Sequence, residues 1–121
     1  DGQFLAEQCG YHIINLCGQL SIHQSASVVG QSAVVLTHDT GLMHIAAALK
    51  KNVASVWGST VPQFGMYPFY PDGMDLNATF EVLGLKCRPC SKIGFEQCPK
   101  GHFRCMRDLD AVEIAPKLDA Y

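Results

Sequence analysis

Charge is scarce in this 121-residue sequence: 17% of its residues carry it, against the usual ~25% of soluble domains. Nine Lys and Arg face eleven Asp and Glu, for a net charge of −2, so no whole-chain field draws in nucleic acid or anionic lipid. Long hydrophobic runs are missing too. The longest, such as Ile-Ala-Ala-Ala-Leu at residues 45–49, fall far short of the ~20 residues that span a bilayer. There is no internal repeat, no low-complexity tract, no signal-peptide pattern and no initiator Met. Six cysteines, about 5% of the chain, lie under the ~8–10% of a disulfide scaffold. What is left is a 48% apolar chain with the length of one domain. Its opening on Asp1 in mid-pattern reads as a piece of a longer, cytosolic protein.

The pattern along the chain is that of an α/β protein. Residues 3–9 read as the end of a helix, with Gly10 placed to stop it. Residues 13–16 (Ile-Ile-Asn-Leu) form a short strand candidate. Ser21 and Gln24 have capping-box spacing, and Ile22, Ala26 and Val29 share one helical face up to Gly30. Residues 33–37 are an apolar run without alternation, as in a strand buried on both faces. A turn at 38–41, an Ala-rich helix at 42–49 and a second buried strand at 53–57 follow. Short connections between alternating strands and helices predict a parallel sheet with covering helices and right-handed crossovers. Beyond Gly58 the order loosens. Residues 79–85 suggest a last strand, residues 86–107 are Cys-rich and basic, and residues 110–118 suggest a short helix weakened by Pro116.

Thr37-His38-Asp39-Thr40-Gly41-Leu42-Met43-His44 stands where a predicted buried strand gives way to a helix. Ligands of open α/β sheets bind at the carboxyl ends of strands, and a helix N-terminus offers free N–H groups to an anion. Gly41 permits close backbone approach, Thr40 adds a hydroxyl, Asp39 a carboxylate, and His44 follows one turn later. The set suits a diphosphate with a polyhydroxyl group beside it. The plainer alternative is that Asp39 or Thr40 merely caps the helix and His44 is a surface histidine.

Three blocks carry a wider resemblance: N-L-C-G-Q-L-S-I at residues 15–22, D-T-G-L-M-H-I-A-A-A-L at 39–49 and W-G-S-T-V-P at 57–62. With them, the sequence resembles glycosyltransferase family 9, the ADP-heptose:lipopolysaccharide heptosyltransferases. The C-x-x-C and C-P-K-G-H-F-R-C-M segments (residues 87–90 and 98–106) look like the tail of one subgroup. The resemblance implies a Rossmann-like sheet, the C-terminal, donor-binding half of a two-domain GT-B fold, with a Cys-rich C-terminal extension. Residues 1–121 are then one nucleotide-sugar-binding unit that includes the segment 86–107.

By the same resemblance, Thr40 and Gly41 contact the donor diphosphate, Asp39 faces the sugar hydroxyls, His44 supports the phosphate end and Leu20 packs on adenine. Leu42 and Ser59 stand where relatives often have Pro; neither departure removes a polar contact. The family's catalytic carboxylate and a phosphate-binding lysine correspond to positions before Asp1, which implies that this stretch alone does not transfer sugar. The implied reaction is a metal-independent displacement moving heptose from an ADP-sugar to a lipopolysaccharide core acceptor. It implies a cytoplasmic enzyme, peripheral at the inner membrane of a Gram-negative bacterium, with no nucleic-acid partner.

Cys87, Cys90, Cys98 and Cys105 have the spacing C-x2-C-x7-C-x6-C. Structural zinc, with His102 as a substitute ligand, one or two disulfides, and free thiols are the three readings of that spacing. Zinc is the favoured one. Cys9 and Cys17 read as small buried apolar residues. Residues 86–107 hold Lys86, Arg88, Lys92, Lys100, Arg104 and Arg107 against Glu96 alone. The rival function follows: a small zinc-stabilised module docking an anionic partner through this stretch. Phe64, Tyr67, Phe69 and Tyr70, with Pro68 and Pro71, either line a cleft or pack under a loop.

Overall fold

A computed structural model describes residues 2–9 and 12–121. Helices α1 (Gly2–Cys9) and α2 (Ile22–Gln31) precede strand β1 (Val34–His38), helix α3 (Gly41–Ala48) and strand β2 (Asn52–Trp57). Two single-turn 3-10 segments then lead to strand β3 (Asn77–Glu81), the one-turn helix α4 (Arg104–Arg107) and helix α5 (Ala111–Asp119). The three strands form one parallel sheet in the order β1-β2-β3. Helices α2 and α3 pack together, α3 lies against β1 and β2, and α5 returns to β2. The expected α/β class holds. Among the described residues no helix is long and apolar enough to cross a membrane.

Local chemistry explains most boundaries. Ser21 Oγ accepts the Gln24 N–H at 3.3 Å while Gln24 Oε1 accepts the Ser21 N–H at 2.8 Å, closing the expected capping box. The helix runs one residue past Gly30 and ends at Ser32, whose hydroxyl donates to Val29 O at 2.7 Å. Asp110 caps α5 by accepting the Val112 N–H at 2.8 Å, and that helix continues through Pro116. Gly10 lies outside the described residues.

Three expectations are corrected. Residues 13–16 are not a strand. Asn15 Oδ1 accepts the Cys17 N–H at 3.1 Å and Gln19 donates to Asn15 O at 2.8 Å. This Asx-type turn competes with a sheet ladder, and it leaves Ile14 81% exposed. As a result β1 has a neighbour on one side only among the described residues, and it is not buried on both faces: Leu36 is exposed. The doubly covered strand is β2, buried from Val53 to Trp57. The last strand also sits earlier than expected, because the chain turns at Gly84, whose φ of 76° favours glycine.

Val53 and Trp57 alternate onto one face of β2, where they form the core with Met43, Ala46 and Ala47 of α3, Val29 of α2, and Tyr70. The aromatic stretch divides. Tyr70 and Pro68 are buried, whereas Phe69 is exposed. Tyr70 Oη donates to Lys51 O at 3.0 Å, pinning the long β2–β3 connection under the sheet.

Burial pushes the Tyr70 phenol up from 10 to about 12, with the Asp75 carboxylate adding to it. The unfolded chain therefore loses this proton near pH 10 while the folded chain keeps it. Stability from the neutral phenol is fully present below pH 10 and is lost as pH rises towards 12, by about 2–3 kcal/mol. Urea titrations at pH 9 and 11.5 are expected to show that fall, and Tyr70→Phe to reduce it. An equal fall in the Tyr70→Phe variant would contradict the assignment. Tyr67, also raised by burial, adds pH dependence of the same sign.

Candidate functional site

Parallel pairing places His38 opposite Val56, so the carboxyl ends of β1 and β2 lie side by side. The segments that leave those ends, Asp39 to Gly41 and Gly58 to Thr60, therefore meet. Asp39 Oδ2 accepts the Thr60 hydroxyl at 3.2 Å. Thr40 takes the N-cap position of α3 in extended backbone, yet its side chain makes no capping bond; its Oγ1 lies 3.1 Å from Thr37 Oγ1. The plainer alternative, in which Asp39 or Thr40 caps the helix, is not what the side chains do. The first turn of α3 has no side-chain acceptor on its N–H groups, and a Cβ built on Gly41 meets nothing within 4 Å. That corner is open to a ligand.

An open cavity of about 670 Å³ begins at Asp39 and His38. Its polar side is completed by Ser59 and Thr60, and its other side is Ile93, Gly94, Phe95, Glu96, Phe103 and Met106. Thr40, Gly41, His44 and Leu20 do not line it. Gly41 and His44 are exposed on the first turns of α3, and Leu20 is half-buried just before α2. The start of α3, with Thr40 and Gly41, follows directly on the carboxyl end of β1. Of the predicted site residues only Asp39 enters the cavity.

Ser59, Thr60 and Arg88 are the participants that sequence reasoning missed. The signal for the first two was present: W-G-S-T follows a buried strand just as D-T-G does, and adjacent parallel strands deliver both loops to one place. Arg88 gave no such signal. Its side chain is 5% exposed. It donates to Gly58 O at 2.5 Å, Thr60 O at 3.0 Å and Val82 O at 3.0 Å, and forms an ion pair with Glu81 at 2.6 Å. This fork ties the loop after β2 to the end of β3.

The cysteines are free thiols. Cys87 Sγ lies 3.7 Å from His102 Nε2, and the Cys90 thiol donates to Cys87 O at 3.3 Å. Cys98 Sγ accepts the Phe103 N–H at 3.4 Å, which holds its thiol below the usual range, whereas burial pushes Cys90 and Cys105 up. Among the described residues no three His, Cys, Asp or Glu side chains gather as a metal ion requires. Cys9 and Cys17 are exposed, contrary to the expectation that they are buried. The basic stretch is less available than its composition suggests, since Arg88 is buried against Glu81 and Arg104 pairs with Asp108 at 2.7 Å.

An open parallel α/β sheet with a polar crevice beyond adjacent strand ends is a ligand-binding architecture. The chain belongs to glycosyltransferase family 9 (heptosyltransferase), whose family model matches residues 3–98. It is similar to lipooligosaccharide heptosyltransferase 2 of Haemophilus influenzae, 34% identical over 62 residues, covering 51% of this chain and 18% of that protein. Lipooligosaccharide heptosyltransferase 2 of Campylobacter jejuni serotype O:2 is 29% identical over 112 residues, 93% of this chain and 32% of its own. Lipopolysaccharide heptosyltransferase 2 of Escherichia coli K12 is 34% identical over 50 residues, 41% of this chain and 14% of its own. The chain thus spans between 14% and 32% of the length of these relatives. No solved structure matches it.

Proposed function

We propose that this chain is the donor-binding part of a glycosyltransferase that adds heptose to a lipopolysaccharide core, and that its ligand is an ADP-sugar of the ADP-heptose class. The observation that carries the reading is Asp39, held by the Thr60 hydroxyl at the mouth of the cavity beside the uncapped N-terminus of α3. A carboxylate suits sugar hydroxyls and repels phosphate. The N–H groups at the start of α3 do the opposite. The diphosphate accordingly lies at Thr40 and Gly41, His44 serves its outer end, and Leu20 packs on adenine. Catalysis is acceptor activation by a base outside these residues.

Two substitutions test the placement. Gly41→Val puts branched carbon into space that no protein atom occupies, so it is expected to abolish ADP binding with little cost to the fold. Asp39→Ala is expected to weaken an ADP-sugar about tenfold, the worth of one charge-assisted hydrogen bond, and to leave ADP unchanged. Amide chemical-shift mapping with millimolar ADP reads the first and calorimetry the second. Shifts centred away from residues 39–44, or none at all, would overturn the reading. Stoichiometric zinc with no nucleotide affinity would favour the anionic-partner module instead.

A further inference from the structure

The cavity has two unlike walls. One is polar, with Asp39, Ser59 and Thr60; the other comes from the Cys-rich segment and presents Phe95 and Phe103. That segment is fixed in place. Arg88 holds the carbonyls of Gly58 and Thr60, and the Cys90 N–H donates to Ser59 O at 2.9 Å. Gly94 packs so closely on Ser59 that a Cβ there would stand 2.8 Å from Ser59 Oγ. Phe103 has a φ of 50°, in the left-handed region that bulky residues rarely adopt. Strained residues of this kind cluster where a ligand is clamped. Yet Phe95 and Phe103, the aromatic part of this wall, remain 56% and 43% exposed.

We propose that the Cys-rich segment is the second wall of the donor site, and that Phe95 and Phe103 cover the C–H face of the transferred sugar ring while Asp39 takes its hydroxyls. The inference rests on the donor-binding reading and assigns the cavity to the sugar rather than to the nucleotide. Electrostatics makes that assignment. Asp39 and Glu96 are both among the lining residues, and two acidic residues at one cavity disfavour a diphosphate there. A neutral ring with hydroxyls on its rim and C–H bonds on its face meets a hydrogen-bonding wall on one side and an aromatic wall on the other.

Phe95 is exposed and outside the core, so its replacement leaves the fold intact. Calorimetry on the purified chain with ADP and with an ADP-sugar is the test. Phe95→Ala is expected to weaken the ADP-sugar about tenfold and ADP not at all, and Phe95→Trp to retain both. Gly94→Ala, which displaces the wall from Ser59, is expected to show the same selective loss with an unchanged far-ultraviolet spectrum. Equal weakening of both ligands by Phe95→Ala would put the aromatic wall on adenine and overturn the proposal. No change in either ligand would overturn it too, with the donor-binding reading left standing. Failure of the unaltered chain to bind ADP would remove both.

Discussion

Arg88→Ala is expected to lower the unfolding free energy by about 3–5 kcal/mol, because it strips one member from a buried ion pair and leaves the other charge behind. Glu81, 14% exposed in its side chain, then has no cation, and three carbonyls at Gly58, Thr60 and Val82 lose their donor. Glu81→Gln is expected to cost less, since Arg88 keeps all three carbonyls and the amide oxygen still accepts. Arg88→Lys is not a conservative change here: an ammonium on a flexible stem does not reproduce a planar fork that reaches two segments at once. Urea unfolding of the three variants gives the order, Arg88→Ala and Arg88→Lys well below Glu81→Gln. If Glu81→Gln were the most damaging, the ion pair and not the carbonyl fork would be what holds the loop. The same variants test the site, since Thr60 presents its hydroxyl to Asp39 only while its backbone is held.

Why Arg88 was not legible in the sequence is instructive. It sits in a run of six cations with one acid, and such a run reads as a solvated face. Its partners at Gly58 and Thr60 are 30 and 28 residues distant and are carbonyls, which every residue carries. No pattern announces that kind of contact. By contrast the Ser21–Gln24 box depends on neighbours within three residues, and it forms as read. The turn at Asp39 was legible for a related reason: an apolar run, then small polar residues, then an Ala-rich helix is local information. The failures at residues 13–16 and 33–37 have one cause between them. A short apolar run does not reveal whether a neighbouring strand exists to pair with it, and here the Asn15 turn takes that strand away. The cavity was half visible. Its polar wall comes from strand ends, and its aromatic wall from a loop without periodicity.

Trp57→Ala is the second large effect expected. Trp57 is 0% exposed, the bulkiest of the fully buried side chains, and lies with Met43, Ala46, Ala47, Val53 and Tyr70. Truncating a buried tryptophan costs about 3–5 kcal/mol from lost transfer energy and the space left behind. The change also deprives Ser55, itself 0% exposed, of the indole N–H that it accepts at 2.9 Å. Trp57→Phe separates the two contributions: it keeps most of the bulk but leaves that hydroxyl without its donor, for about 1–3 kcal/mol. Against a total of roughly 5–15 kcal/mol for a domain, the alanine variant is close to the edge of folding and the phenylalanine variant is not. Trp57 is also the residue directly before the Gly58–Thr60 loop, so loosening it releases the loop that faces Asp39. A ligand that binds only the ordered loop restores stability by about 2.7 kcal/mol at a hundred times its Kd. Thermal unfolding of Trp57→Phe with and without saturating ADP-sugar is therefore expected to show a ligand-dependent rise in Tm, and Trp57→Ala a midpoint well below both. Unfolding of Trp57→Ala at the same denaturant concentration as the unaltered chain would mean that this side chain is not the centre of the core.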